Sequence, residues 1–252
     1  MQRIVLLAAL NREIWPLIKH FGSIKCKWEQ GLRVHRVHKH GVEILLVETG
    51  MGLRRAEIGA RLVLDRFKPE LAISCGFGGG LTTDLLPGAV IQAERVVLYN
   101  HRNNTLEESL ELLCPEIRIM SSDLRPGTVV TTTHPPDKKA LSLLLPTHFH
   151  PAVVDMETYH TARIFLEAQV AFLSLRSVCD EQDFDPDLEL ERLTDGFGQI
   201  NSFKACAYCL RHPGKIIWFL SLAKRSALAA KVLCRLLEEV FERIEISSHR
   251  SS

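Results

Sequence analysis

The sequence predicts an α/β protein, a three-layer α/β/α domain with a mixed, mostly parallel central sheet, and three observations carry that expectation. Apolar, β-rich runs alternate with segments of helical period along most of the chain. The runs are apolar at consecutive positions, as strands covered on both faces are. Acidic residues and a glycine cluster stand at the ends of these runs, where parallel sheets place their ligands. In chain order, a strand over 3–10 leads into a helix over 11–21. The runs 33–38 and 42–49 turn through Lys39-His40-Gly41, which predicts an antiparallel hairpin and makes the sheet mixed. A helix over 54–67 is followed by strands over 70–75 and 88–98. The stretch 99–127, with Asn103-Asn104 and Pro126-Gly127, reads as loop or edge structure. Strands over 128–132, 152–154 and 170–179 then alternate with helices over 137–145 and 158–168. Residues 1–200 are expected to form one domain, with 201–252 a basic, apolar helical extension packed on it.

The 252 residues, 46% hydrophobic and 24% charged, have the composition of a soluble globular protein with one large core. Thirty-one Lys and Arg face 30 Asp and Glu, a net charge of +1, which gives no global bias toward nucleic acid. The first apolar run, Ile4 to Leu10, is too short to span a bilayer and lacks a small-residue cleavage site after it. A cytoplasmic protein, neither secreted nor integral to a membrane, is therefore expected. Seven scattered cysteines, an odd number, read as reduced core thiols.

Three carboxylates set the chemistry. Glu13 follows the first strand, Glu157 ends Val153-Val154-Asp155-Met156-Glu157, and Asp180 closes Arg176-Ser177-Val178-Cys179-Asp180. With Gly76-Phe77-Gly78-Gly79-Gly80 at a fourth strand end, they suggest one cleft for acid/base work on a polar small molecule. Each has a plainer reading: Glu13 as a first-turn helix charge, Glu157 as helix-start charge, Asp180 as the head of an acidic surface run extending to Glu191. The glycine cluster fails as a dinucleotide fingerprint, because Leu81-Thr82-Thr83-Asp84 and the Leu85-Leu86-Pro87-Gly88 that follows have loop character and open no helix. It marks instead a place where a ligand or a neighbouring backbone approaches closely.

These residues carry a family resemblance. Val47-Glu48-Thr49-Gly50-Met51-Gly52 before a helix, Ser74-Cys75-Gly76-Phe77-Gly78-Gly79-Gly80-Leu81, Asp155-Met156-Glu157 and Ser177-Val178-Cys179-Asp180 resemble, in order and spacing, the nucleoside phosphorylase and nucleosidase superfamily. The motifs are similar to those of the methylthioadenosine/S-adenosylhomocysteine nucleosidases, and Asp-Met-Glu with a C-terminal extension is closer still to the hopanoid-associated nucleosidases. The resemblance implies an enzyme that cleaves the N-glycosidic bond of a 5′-modified adenine nucleoside, adenosylhopane in hopanoid biosynthesis, and releases adenine. The alternative is a noncatalytic nucleoside-binding or scaffold protein that keeps the fold.

What the resemblance implies for single residues follows from that chemistry, in which positive charge builds on the ribose and negative charge on the departing base. Glu157 would accept from a ribose hydroxyl and stabilise the cationic sugar. Asp180 would deliver a proton at purine N7, its pKa raised by burial beside Val178 and Cys179. Glu13 would orient the attacking water, Met156 pack on the sugar, Gly76, Phe77 and Gly78 line the substrate, and His134 stack on the base. No metal or cofactor is implied. Phosphate as a co-substrate is disfavoured but stays open: Ser74 stands where hexameric phosphorylases carry a phosphate-binding arginine, and Phe77 where relatives carry Ser or Thr, while Arg12, Arg54 and Arg55 could compensate from neighbouring loops. The implied partners are the nucleoside, lipid-linked in the hopanoid case, and further copies of the chain, with no nucleic acid.

From Gly196 to Leu237 there are seven basic residues and no acid, among many apolar ones including Trp218 and Phe219. This is the composition of a helix that caps the core or one that lies on the inner membrane, and both readings stand. The pair Cys206 and Cys209 is a lone C-x-x-C and reads as core packing rather than zinc. His35, His38, His40, His148 and His150 read as surface histidines.

Overall fold

The continuous apolar run at the start of the chain forms β1 (Gln2–Ala8), and Ile4, Val5 and Leu6 have no exposed surface, so both of its faces are covered. The computed structural model describes residues 2–21, 25–29, 31–39, 42–112, 124–183, 208, 212, 214 and 216–250. α1 (Asn11–Phe21) follows, then β2 (Lys25–Glu29), β3 (Leu32–Lys39), β4 (Val42–Glu48) and α2 (Leu53–Phe67). β5 (Leu71–Gly80), β6 (Val90–Asn100), β7 (Thr105–Glu111) and β8 (Leu124–Thr131) precede α3 (Lys138–Leu144). β9 (Ala152–Asp155), α4 (Thr158–Glu167), β10 (Ala171–Asp180) and the long α5 (Ile216–Arg250) complete the order.

β1 lies between β4 and β5, parallel to both. β3 pairs antiparallel with β4 as the expected hairpin, and its turn lies outside the described residues. On its far side β5 pairs in parallel with β10 and, through Gly79 and Gly80, antiparallel with β9. β9 pairs with β8, β8 with β6, and β6 back with β10, so five strands close on themselves beside the open arm β1-β4-β3-β2. The sheet is mixed, as expected. Its closure is the feature that the alternation of elements did not announce, and it draws the ends of β5, β9 and β10 together.

The alternating side chains of β1 feed two cores. Ile4 and Leu6 pack with Ile14 and Leu17 of α1 and Leu233, Leu237 and Phe241 of α5. Val5 and Leu7 pack on the opposite face with Ala60 and Val63 of α2 and Tyr159 and Phe165 of α4. Helices on both faces of the sheet make the three expected layers.

Some elements differ from expectation. β2 and β7 are strands that the sequence pattern did not single out; β7, inside the irregular stretch 99–127, is an edge strand along β6 with most side chains exposed. β5 does not stop at Cys75 but runs through the glycines to Gly80. His35 is buried, not a surface residue, with Nε2 3.1 Å from Glu48 Oε1. The expectations for Cys206, Cys209 and the acidic run beyond Asp183 fall outside the described residues.

Candidate active site

Glu13 sits one turn beyond β1, yet its side chain turns inward and is 4% exposed. Its Oε2 accepts from the Leu10 amide at 2.8 Å and its Oε1 from the Phe77 amide at 2.9 Å. A Cβ at Gly76 would stand 2.9 Å from Oε1, so the missing side chain there is what admits the carboxylate. Burial raises the Glu13 pKa, against the pull of the two amides, Arg176 and Arg12. The Phe77 ring faces the Arg12 guanidinium, 5.5 Å from the ring centroid.

Glu157 stands at the N-terminus of α4 and accepts from the Gly52 amide at 2.7 Å. That amide belongs to the loop into α2, where Gly50 and Gly52 hold φ values of 82° and 92° that only glycine adopts without strain. Burial first, then the neighbouring Asp155 carboxylate, push the Glu157 pKa up to about 7. Met156 is half-buried beside it.

Arg176, in the middle of β10 and 3% exposed, is the residue that joins these acids, and sequence reasoning passed over it. Its Nε donates to Asp155 Oδ2 at 2.8 Å and its Nη2 to Ser74 Oγ at 2.8 Å. Burial works against its charge, but Asp155, Glu157 and Glu13 outweigh that and hold its pKa above the ordinary value. Asp155 also accepts from Thr131 Oγ1 at 2.7 Å and from the Thr158 hydroxyl, so both oxygens of this buried carboxylate are hydrogen-bonded. A charged side chain in the run Phe172-Leu173-Ser174-Leu175-Arg176 was the available signal, because an arginine in a buried strand requires an acid.

Asp180 ends β10 opposite Gly79. Its Oδ2 lies 2.5 Å from Lys138 Nζ and its Oδ1 accepts from the Cys179 thiol at 2.9 Å. Lys138, the first residue of α3, was not among the expected site residues. Burial, then Asp180, push the Cys179 thiol pKa well above its ordinary range. Gly78 packs against the Val154 carbonyl, 3.2 Å from where a Cβ would stand.

Glu13, Gly76, Phe77, Glu157, Ser74, Thr49 and Arg176 line one cleft of about 290 Å³, open solvent included. Asp180, Gly78 and Met156 lie along the same strand ends but outside that lining. His134 is exposed in the loop after β8; its backbone oxygen accepts from Thr132 Oγ1 at 2.8 Å and its ring meets that of His101 edge-on. Among the described residues, no three His, Cys, Asp or Glu side chains group as metal ligands.

Comparison with known proteins places the chain in a family. The chain is 29% identical over 96 residues to a 5′-methylthioadenosine/S-adenosylhomocysteine nucleosidase of Chromohalobacter salexigens, covering 38% of this chain and 41% of that one. It is 45% identical over 56 residues to the protein of that name from Listeria welshimeri, covering 22% of this chain and 24% of that one. The chain thus spans about two fifths or less of the length of these curated relatives. In fold it is similar to the 5′-methylthioadenosine/S-adenosylhomocysteine nucleosidase of Neisseria meningitidis in complex with methylthio-immucillin-A, with a TM-score of 0.71, 14% identity, and 96% of this chain and 99% of that one covered. It is likewise similar to a futalosine hydrolase mutant of Helicobacter pylori, with a TM-score of 0.67, 18% identity, and 95% and 100% covered. Residues 3–211 match the sequence model of the Phosphorylase superfamily, and the chain belongs to that superfamily.

Proposed function

We propose that this protein cleaves the N-glycosidic bond of a 5′-modified adenine nucleoside and releases adenine, with water as the nucleophile. The observation that carries the reading is the convergence of Glu13 and Glu157 on one cleft, with Asp180 at the adjoining strand end. Glu157 is the anion that the cationic sugar requires, and Glu13, buried with a raised pKa, is suited to take a proton from water. Asp180 serves the N7 side of the departing base, Met156 the sugar face, and His134 the open edge of the base. Water is preferred over phosphate because Arg176, the guanidinium that lines the cleft, is committed to Asp155 and Ser74. The names of the relatives, nucleosidases of methylthioadenosine and S-adenosylhomocysteine, agree with this choice. Phe77 supports catalysis over a noncatalytic scaffold: its amide holds Glu13 and its ring is turned to Arg12.

At finer detail, the substrate we propose is adenosylhopane, handled by a cytoplasmic homo-oligomer that touches the inner membrane through α5. Exposed Ile216, Ile217 and Leu220 at the start of that helix support a lipid-facing surface. No described helix is long and apolar enough to cross a membrane.

The test is to incubate the protein with 5′-substituted adenosines, soluble and lipid-linked, with and without phosphate, and to follow adenine by chromatography. Adenine without phosphate is the expected result, and Asp180→Asn should lower kcat by about 100-fold or more in a folded protein. Adenine only in the presence of phosphate makes the protein a phosphorylase. No adenine from any analogue refutes the enzymatic reading.

A further inference from the structure

We propose that Lys138 is the positioning residue that stores the proton for the leaving base and passes it through Asp180. The proposal rests on the N-glycosidic reading of the site. Both oxygens of Asp180 already accept hydrogens, Oδ2 from the Lys138 ammonium at 2.5 Å and Oδ1 from the Cys179 thiol at 2.9 Å. Any proton that Asp180 passes to the base has to be replaced from one of these two neighbours. The nearest acidic hydrogens that can leave are on Lys138 Nζ.

The contact is built into the fold. Lys138 is 7% exposed, and the Asp137 side chain fixes the start of α3 by accepting from the Lys139 and Ala140 amides at 3.0 and 3.1 Å. Its ammonium also donates to the Glu181 carbonyl, which anchors it to the end of β10. A Cβ at Gly79 would stand 3.1 Å from Asp180 Oδ2 and 3.2 Å from Lys138 Cδ, so this glycine leaves room for the pair. The other charges nearby have partners of their own. Lys139 pairs with Asp183 at 2.9 Å and Arg225 with Glu181 at 3.6 Å. Arg12 and Glu13 act through space on the Cys179 thiol that faces Asp180.

In the reaction, the C1′–N9 bond breaks and its electron pair moves onto the purine. A ring nitrogen of the purine takes a proton from Asp180, and Asp180 takes one from Lys138 Nζ. Lys138 is left as a neutral amine that water reprotonates. Water adds to C1′ and gives its proton to Glu13.

The experiment compares Lys138→Met, Lys138→Arg and the wild-type protein on the 5′-substituted adenosine that the wild type cleaves fastest. The readout is kcat/KM for adenine release from about pH 5 to about pH 10, with circular dichroism to check folding. The expected result is a wild-type alkaline limb in the lysine range, moved down by more than about one pH unit in Lys138→Met, where Asp180 must act alone. Lys138→Arg keeps the charge and the hydrogen bond but never gives up a proton, so its kcat should fall about 100-fold or more at every pH. A wild-type limb far below the lysine range, an unmoved limb in Lys138→Met, or near-native turnover in Lys138→Arg overturns the proposal and leaves Lys138 a structural contact. Should Lys138→Met not fold, the arginine variant decides alone. A wild-type protein without activity on any 5′-substituted adenosine fails differently, because it removes the N-glycosidic reading itself and this proposal with it.

Discussion

Glu157 would tie stability to the proposed activity. Its pKa is raised from 4.5 to about 7 by burial and by Asp155, so the folded protein binds this proton more tightly than the unfolded chain does. The stability that the bound proton confers is full below the unfolded pKa of 4.5 and is lost as pH rises through about 7. The carboxylate that the proposed mechanism requires would appear over the same interval. We therefore expect kcat/KM to rise through about pH 7 as the melting temperature falls, a trend that Glu13, also raised by burial, shares. Glu157→Gln should lower kcat/KM by about 100-fold or more, leave adenine binding nearly intact, and flatten the melting-temperature slope. Pooled titration of melting temperature and rate checks this, and equal weakening of adenine and nucleoside would show instead that the site had collapsed. Glu157, Asp180 and Glu13 were legible in the sequence because each ends a strand-like run. Arg176 left only the signal of a charge in an apolar run and Lys138 left none, because their partners Ser74 and Asp180 are 102 and 42 residues away in sequence and meet them only in the fold.

At the scale of elements, β5 carries the site, and it does so by omitting side chains. Glycine is a poor strand former, so the sequence reads as a strand that ends at Cys75. The strand continues because β10 and β9 both pair with it and come close at Gly78 and Gly79, while Gly76 admits the Glu13 carboxylate. Gly76→Ala tests this directly, since the new Cβ would lie 2.9 Å from one Glu13 oxygen and 3.2 Å from its carboxyl carbon. Glu13 must give way, because Phe77 and Leu10 hold it from two sides. We expect kcat to fall about 10- to 100-fold with a smaller change in KM, measured by the same adenine assay. Native kcat in this variant would mean that Glu13 has no part in the chemistry. β1, β4 and β10 were legible from their continuous apolar runs, and α1, α2 and α4 from their period. β7, Thr105-Leu106-Glu107-Glu108-Ser109-Leu110-Glu111, was hidden because an edge strand exposes most of its side chains and has too few apolar positions to show a period.

Across the whole molecule, α5 divides into two halves with different work. From Ala229 to Ile244 its inward side chains, Leu233, Leu236, Leu237, Val240 and Phe241 among them, share one core with α1 and β1. At its start the balance reverses: Ile217 is 78% and Leu220 57% exposed, while Trp218 and Phe219, the residues singled out from composition, are half-buried. Of the two readings that composition left open, capping the core holds for the second half of the helix, and the membrane-surface proposal rests on the exposed first turns. The lipid-facing role proposed for α5 would fall to its first turns, with exposed Lys224 one to two turns further on, and attraction to anionic lipid there should weaken as salt screens it. We expect the wild-type protein to co-sediment with anionic phospholipid vesicles at low salt and less so at high salt. Ile217→Ala with Leu220→Ala should weaken that binding and the cleavage of a lipid-linked nucleoside, without lowering the melting temperature or the cleavage of a soluble analogue. Leu233→Ala or Leu237→Ala should do the reverse, costing about 2–5 kcal/mol of stability each and leaving vesicle binding unchanged in the folded fraction. If the wild type does not bind vesicles at low salt, the membrane role of α5 is refuted and the helix is a cap on the core alone. If Ile217→Ala with Leu220→Ala slows soluble and lipid-linked substrates equally, its first turns serve the active site rather than a bilayer.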